Sequence, residues 1–237
     1  MATIARALEN ERTAEIKRFE VHQIIQHATM MVTFILLVIT GLPMKFNNLA
    51  ISEWWAALWG GISVLRTVHH VSAFVMIGDC VYHVGYIGFS TFVQKKPFPL
   101  SMIPTPRDVV TLLQEMAYFL GIRNDAPLFD RFNWKEKFDY WAIFWGVPIM
   151  GASGLVLMFP VFATQHLPGW VIPVAYTAHS HEALLALTWI AMVHIFFNHF
   201  SPSAFPLNKA IFTGKVPVDR YREEHTLDFE KIINKRE

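Results

Sequence analysis

Four stretches of the chain are apolar over the length that a helix needs to cross a bilayer, and polar or aromatic segments separate them. A hydrocarbon core about 30 Å thick requires about 20 consecutive, mainly apolar residues in a helix. The pattern therefore predicts four transmembrane spans, at about residues 24–44, 68–92, 140–159 and 179–200.

The connection between the second and third spans, residues 93–139, is too long to be a bare loop. Within it, Pro106 is a favourable helix start and Gly121 a favourable stop. Apolar residues recur at helical spacing between them, at Val109, Leu112, Leu113, Met116 and Leu120. The segment predicts an amphipathic helix at about residues 106–121 that lies on the membrane surface.

The connection between the first and second spans contains the stretch SEWWAALWGG. Tryptophan is enriched at the headgroup level of membranes. Trp54, Trp55 and Trp59 therefore predict a short interfacial helix on the other side of the bilayer.

Composition supports a membrane protein: 53% of the 237 residues are hydrophobic, 16% are charged, and the mean hydropathy is +0.32. A soluble domain carries roughly 25% charged residues. The single cysteine, Cys80, excludes an internal disulfide, a cysteine-ligated iron–sulfur cluster and a C-x-x-C-H haem attachment site. No phosphate loop, nucleotide fingerprint or hydrolytic triad with supporting context is present, which favours a subunit over a stand-alone enzyme.

The distribution of Lys and Arg predicts the orientation of the spans. Eighteen of the 20 basic residues lie before the first span, between the second and third, or after the fourth. Because basic loops stay in the cytoplasm, both termini and the middle loop are expected there. The polar N-terminal stretch MATIARALENERTAEIKRFE lacks the apolar core of a cleavable signal peptide and fits this orientation. The predicted fold is an all-α integral membrane protein, a single four-helix bundle over residues 1–237 with a cytoplasmic amphipathic helix.

Histidines stand inside the spans, where ionisable side chains are costly and usually have a functional partner. By helix geometry, His69 and His83 are about 40° apart around the second helix and about 21 Å apart along it. His179 and His194 are about 60° and 22 Å apart on the fourth. His181 lies about 140° from His194, so His179 is the better match.

On the predicted topology the histidines form two layers, with His69 and His179 at the outer side and His27, His83 and His194 at the cytoplasmic side. Two histidines on facing helices can take both axial positions of a haem iron. The layers therefore predict two haem groups, and the spacing leaves His27 and His83 open as alternatives. Arg66, about one turn before His69, is a candidate partner for a haem propionate.

The stretch RFEVHQIIQHATMMVTFILLVITGLPMKF resembles the first helix of the di-haem cytochrome b subunits of the formate dehydrogenase gamma-subunit group, related to hydrogenase and thiosulfate reductase cytochrome b. The family pattern there is Arg-Phe, an acidic or amide residue, a histidine eight residues after the Phe, and a closing Thr-Gly. The matching residues are Arg18, Phe19, Gln23, His27, Thr40 and Gly41. The resemblance continues through RTVHH, EKFDYWAIFWGVPIMGASGL, HSHEALLA and the tail FTGKVPVDRYREEH.

The resemblance implies that His27 and His194 hold a cytoplasmic-side haem b, and His69 and His179 an outer one. His70, His83 and His181 remain alternates for these ligands. It further implies electron transfer between a periplasmic partner, an iron–sulfur or multihaem cytochrome subunit, and menaquinone or ubiquinone. The implied location is the cytoplasmic (inner) membrane of a bacterium or archaeon. The direction of electron flow stays open.

Polar residues near the cytoplasmic layer are candidates for quinone binding or proton delivery. Asp79 stands four residues before His83 and therefore on the same helix face, and an acid inside a span is usually functional. The full candidate set is His83, Asp79, His22, Asn198 and His199.

Two other functions compete with electron transfer. A metal or proton transporter would bind a transition metal through clustered histidines and would carry several carboxylates at mid-membrane depth, for which only Asp79 qualifies in this reading. A haem-free anchor that only tethers a partner would leave the two histidine layers unexplained. No feature indicates a nucleic-acid partner.

Overall fold

The computed structural model describes residues 14–201 and 204–234, and these are mainly helical. The helices are α1 (Val21–Lys45), α2 (Ala50–Leu58), α3 (Ile62–Gly88), α4 (Pro106–Phe119), α5 (Trp134–Met158), α6 (Pro160–His166), α7 (Val171–Trp189), α8 (Ala210–Thr213), α9 (Val218–Glu224) and α10 (Thr226–Asn234). Two short strands, β1 (Glu15–Lys17) and β2 (Lys215–Pro217), accompany them. Most of the polar N-terminal stretch that was read as cytoplasmic lies outside the described residues.

Four helices are long and apolar enough to cross a membrane: Val21–Lys45, Ile62–Val93, Trp134–Met158 and Val171–Phe200. The predicted all-α class with four helices of membrane-spanning length and hydropathy is confirmed. The helices begin earlier than hydropathy indicated, because aromatic and polar residues beside the apolar core remain helical. His69 and His179 consequently lie about two turns inside their helices, rather than at the helix starts.

Side chains in the spans are distributed as in a lipid-embedded bundle. The residues buried within these helices are mostly small or polar, among them Thr33, Thr40, Ser72, Ser153 and Ser180. Large apolar side chains point outward, including Val32, Ile35, Val81, Leu185 and Met192. Small residues allow close helix approach in a membrane, where lipid already solvates the apolar surface.

The Trp-rich helix predicted between the first two spans is confirmed as α2. Trp55 fixes it to α1 by donating its indole N–H to the Ile39 carbonyl at 2.9 Å. That carbonyl accepts the bond because Pro43, four residues later, has no N–H to offer it. The uncharged connection between the third and fourth spans is also largely helical, and it forms α6.

The chain divides into two compact units. The histidine unit contains Ile25–Lys96 and Ile143–Phe196. The terminal unit contains Pro97–Ala142 together with the described residues up to Ile24 and from Phe197 onward.

The terminal unit is closed by β1 and β2, which pair antiparallel with Ile16 opposite Val216. A small apolar core forms beneath them from Ala210, Val216 and Tyr221, with Ile16, Phe19, Phe229 and Ile232 packed against it. Gly214 has a φ of 71°, and a Cβ there would lie 2.6 Å from the Phe19 carbonyl oxygen, so only glycine fits. The strand pair was not predicted, because each strand has three residues and its partner is distant in the sequence.

The predicted amphipathic helix is confirmed as α4, with a capping box between Thr105 and Asp108. Its polar face is the packed one. Glu115 is buried and binds Lys135 at 2.5 Å, while Asp108 binds Lys137 at 2.9 Å. Its apolar side chains are exposed, including Val109, Leu113, Met116 and Leu120. This polarity suits a helix whose apolar face meets lipid.

Candidate metal-binding histidine pairs

Four histidines of the histidine unit form two pairs, each joining two different spans. In the first pair, His69 of α3 and His179 of α7 have ring centroids 6.2 Å apart and planes at 59°. In the second pair, His27 of α1 and His194 have centroids 6.2 Å apart and planes at 26°. The structure thus brings together all four histidines that the family resemblance singled out.

The spacing within each pair suits one metal ion between two imidazoles. A metal–imidazole bond of about 2.0 Å, with about 1.1 Å from the nitrogen to the ring centre, separates two axial ring centroids by about 6.2 Å. Two neutral imidazoles per site are the axial donor set of a haem iron. Zinc and copper sites usually have three or four protein ligands.

His69 is held by the neighbouring span α1. Its Nδ1 lies 3.0 Å from the Thr40 hydroxyl oxygen, and that hydroxyl donates its own proton to the Leu36 carbonyl at 2.6 Å. A hydroxyl has one proton, so its oxygen accepts from Nδ1 of His69, and Nε2 keeps its lone pair. This is the tautomer that binds a metal through Nε2.

His179 is held in the same way by α5. Its Nδ1 lies 3.0 Å from the Ser153 hydroxyl oxygen and 3.1 Å from the Met150 carbonyl oxygen. A carbonyl oxygen only accepts hydrogen bonds, so Nδ1 carries the proton and Nε2 keeps the lone pair. Residues of an adjacent helix therefore hold both imidazoles of the first pair in the tautomer whose Nε2 can bind a metal.

Two glycines make room for these rings. A Cβ on Gly41 would lie 3.1 Å from Cε1 of His69, and a Cβ on Gly154 would lie 3.1 Å from Cε1 of His179. Each glycine directly follows the hydroxyl residue that bonds the same histidine. Both glycines therefore lie directly against the imidazoles.

His194 lies in a π-helical turn, Ile190–His194, that continues α7. A π-helical turn contains more residues than an α-helical one, so it advances less angle per residue. It therefore reduces the 60° offset that ideal helix geometry predicts between His179 and His194. Single π-turns are frequent at functional sites.

The alternates have other partners. His83 lies with Nδ1 3.1 Å from the Gln26 side-chain oxygen and with its ring 6.3 Å from that of Phe144. His181 is exposed and donates from Nδ1 to the Thr177 carbonyl of its own helix at 2.8 Å. In the structure, His194 thus pairs with His27 and not with His83, and His69 pairs with His179 and not with His181. His70 packs edge-on against His69, with ring planes at 71°.

The remaining candidates are separated by unit. Asp79 and His83 lie in α3 of the histidine unit, and Asp79 is half-buried. His22, Asn198 and His199 belong to the terminal unit, where His199 Nδ1 accepts a bond from the Asn208 backbone N–H at 3.3 Å. Arg66 is exposed on α3. A quinone or propionate role for these residues stays a prediction.

Two polar groups within the spans were missed by the sequence analysis. Glu182, in α7, is a partly exposed carboxylate within a span, and its Oε1 lies 3.3 Å from the place a Cβ on Gly146 would occupy. The rarity of acids in spans was a signal that should have found it. Gln26 is 8% exposed, and its Nε2 has no hydrogen-bond partner within residues 14–201 and 204–234.

A buried cation organises the terminal unit. The Arg18 side chain is 3% exposed and binds Glu136 at 3.0 Å and the Tyr221 hydroxyl at 3.3 Å. His225 donates from Nδ1 to the Asp130 carbonyl at 2.8 Å, and burial lowers its pKa. Burial, reinforced by the hydrogen bond to Asp228, raises the pKa of Tyr221 to about 12. These contacts join the N-terminal strand, the start of α5 and the C-terminal helices.

No protein-family model and no curated protein matches the chain. Within the part of the chain that the structure describes, no group of three or more His, Cys, Asp or Glu side chains converges on a metal-sized site. The two histidine pairs are thus the arrangement from which a function is best inferred.

Proposed function

We infer that the chain is the membrane electron-transfer subunit of an oxidoreductase complex and carries two b-type haems. The observation that carries this proposal is the pair geometry: two imidazoles from different spans, with centroids 6.2 Å apart, at each of two sites. Along the helices the sites are about 21 Å apart, which is most of the thickness of a hydrocarbon core.

The protein's contribution is to hold and insulate the redox groups. Haem, when bound, supplies an iron that exchanges one electron at a time. The four paired histidines would hold that iron, and the Thr40 hydroxyl of α1 and the Ser153 hydroxyl and Met150 carbonyl of α5 orient the first pair so that Nε2 is the ligating atom. Large apolar side chains on the outward surfaces of the spans separate both sites from water.

The charge distribution supports an orientation with both termini in the cytoplasm, because 18 of 20 basic residues lie on one side of the spans. The first pair then lies toward the periplasm, where an iron–sulfur or multihaem cytochrome partner exchanges electrons with it. The second pair lies toward the cytoplasm and serves menaquinone or ubiquinone, with His83 and Asp79 as candidates for proton exchange.

The competing functions account for less of the geometry. A transition-metal transporter would need three or four converging ligands, and the described residues contain no such cluster. A haem-free anchor has no use for four histidines whose spacing repeats at two depths. Both alternatives predict a purified protein without a haem spectrum.

The test is the absorption spectrum of the purified protein before and after dithionite, with a pyridine haemochrome count. We expect a sharp reduced b-type band and two haems per chain. His179→Leu should remove one haem, whereas the matched change His181→Leu in the same helix should remove none. A protein without haem would refute the proposal, and a single haem would refute the two-site assignment.

Electron transfer to quinone has a separate test. The reduced protein in membranes should be reoxidised by a menaquinone or ubiquinone analogue, and His83→Leu should slow this step while both haems remain. Copurification of the complex identifies the periplasmic partner. Reoxidation that is unchanged in His83→Leu would remove this residue from the quinone site.

A further inference from the structure

The first histidine pair is built from one local pattern that occurs twice. In α1, the Thr40 hydroxyl accepts from Nδ1 of His69, and the backbone of Leu37, three residues earlier, also contacts that imidazole. In α5, the acceptors of His179 are the Met150 carbonyl and, three residues later, the Ser153 hydroxyl. Each pattern ends in the glycine that adjoins the imidazole.

The two hydroxyls are held in a defined direction. Thr40 donates its own proton to the Leu36 carbonyl at 2.6 Å, four residues back, and Ser153 donates to the Ile149 carbonyl at 2.5 Å. A hydroxyl has one proton, so its oxygen faces the imidazole as an acceptor. A hydrogen-bond chain of this kind polarises its members and strengthens each bond.

An acceptor on Nδ1–H makes an imidazole a more basic ligand. A more basic ligand stabilises the ferric form of an iron over its ferrous form. We propose that Thr40 and Ser153 are positioning residues that orient the first-pair imidazoles and keep the midpoint potential of the iron between them low. This proposal rests on the function proposed above and adds a control of potential that is specific to one of the two sites.

The two contacts of each histidine have separable roles. Ser153→Ala leaves the Met150 carbonyl as an acceptor 3.1 Å from Nδ1 of His179, and Thr40→Val leaves the backbone contact of Leu37 with His69, so both imidazoles stay available as ligands. We therefore expect Thr40→Val and Ser153→Ala to retain two haems but to raise one midpoint potential. A tenfold loss of ferric preference corresponds to about 59 mV for a one-electron couple.

The chain supplies a matched control in the same helix. Thr33 is 5% exposed and donates to the Thr29 carbonyl at 2.8 Å, as Thr40 does to Leu36, but its hydroxyl contacts no histidine. It lies seven residues before Thr40 and therefore on nearly the same helix face. Thr33→Val removes a buried hydroxyl of the same kind, and Thr40→Ser should restore the acceptor.

The experiment is an optical redox titration of the purified full-length protein and these variants. Thr40→Val and Ser153→Ala should each shift the same component upward, the double variant should shift it further, and the second component should stay unchanged. Thr33→Val and Thr40→Ser should match the unmodified protein. If either variant instead loses only the haem of the first pair, and the midpoint potential of the remaining haem is unchanged, the positioning role of Thr40 and Ser153 is also supported.

Two outcomes would overturn the proposal. One is a protein with two haems in which Thr40→Val and Ser153→Ala titrate like Thr33→Val. The other is an equal shift of both components, which indicates a general change in packing. An unmodified protein that contains no haem refutes the proposed function instead, so the two failures are distinguishable.

Discussion

The close approach of glycine to the first histidine pair yields a quantitative prediction. Gly41→Ala adds a Cβ at 3.1 Å from Cε1 of His69. Carbon atoms pack favourably at about 3.5–4.0 Å, so the ring or the helix must move by about 0.4 Å. Metal–ligand distances tolerate deviations of about 0.2 Å. If His69 and His179 hold a haem iron as proposed, Gly41→Ala would displace the first ligand by more than the site tolerates, and Gly154→Ala would do the same to the second.

Helix propensity acts in the opposite direction. Alanine is favoured over glycine by about 0.8–1.0 kcal/mol inside a helix, so neither substitution should weaken the helix itself. Loss of haem with an undiminished unfolding temperature of the haem-free protein would identify the imidazole as the affected group.

The assay is a pyridine haemochrome count with a redox difference spectrum. Gly41→Ala and Gly154→Ala should lower the count from two haems toward one. Gly78→Ala and Gly85→Ala, where an added Cβ has no neighbour within 4 Å, are the matched controls and should keep two. Full retention of both haems, with unchanged spectra, in Gly41→Ala and Gly154→Ala would refute the reasoning.

Three further predictions concern ligand planes, an ion pair and pH. The imidazole planes meet at 59° in the first pair and at 26° in the second. Near-parallel axial ligands split the iron orbitals more, so the ferric low-spin EPR signal of a haem at the first pair should have a larger maximum g value than that of a haem at the second. Lys135→Met leaves the nearly buried Glu115 carboxylate without its cation and should lower the free energy of unfolding by about 3 kcal/mol, as measured by denaturant titration. Lys231→Met removes an exposed ion pair and should lower it by less than about 1 kcal/mol. Burial lowers the pKa of His225. At pH values below the ordinary histidine pKa, the folded chain therefore binds fewer protons than the unfolded chain. Stability should therefore fall from pH 7.5 to about 5.5, and less so in His225→Gln.

The sequence predicted the elements whose apolar pattern is long. The four spans, α2 and α4 follow from hydropathy, tryptophan placement and helix boundary signals. The surroundings of the histidines could not be read in this way. Serine and threonine in helices ordinarily bond their own i−4 carbonyl, which gives no sign that a histidine of another helix shares the hydroxyl.

The π-helical turn before His194 also leaves no periodic signal, since the residues Ile190–His194 are as apolar as the rest of the span. Ideal α-helical geometry therefore does not describe the whole segment between His179 and His194. The β1–β2 pair joins segments from opposite ends of the chain, and three-residue strands carry too little alternation to be recognised.

The repeated hydroxyl pattern relates the segment α1–α3 to the segment α5–α7, and this relation explains why spacing alone could not choose between His27 and His83. His69 and His179 occupy equivalent positions in the two segments, 110 residues apart. The same offset places the equivalent of His83 at position 193, next to His194. The extra residue of the π-helical turn accounts for the difference of one. His83 of the α1–α3 half is thus the counterpart of His194 in the α5–α7 half. Its position relative to His69 is equivalent to that of His194 relative to His179.

The two halves differ at the level of the second pair. Thr40 of α1 and Ser153 of α5 are equivalent and 113 residues apart, so the position in α5 equivalent to His27 is Tyr140, which has no imidazole. The observed pairing of His27 with His194 therefore has no equivalent between His83 and position 140. The first site is equivalent in both halves, and the second is not. His83 lies outside both observed histidine pairs and contacts α1, the helix of His27, through Gln26. Under the proposed function, this position suits a group that exchanges protons with the quinone.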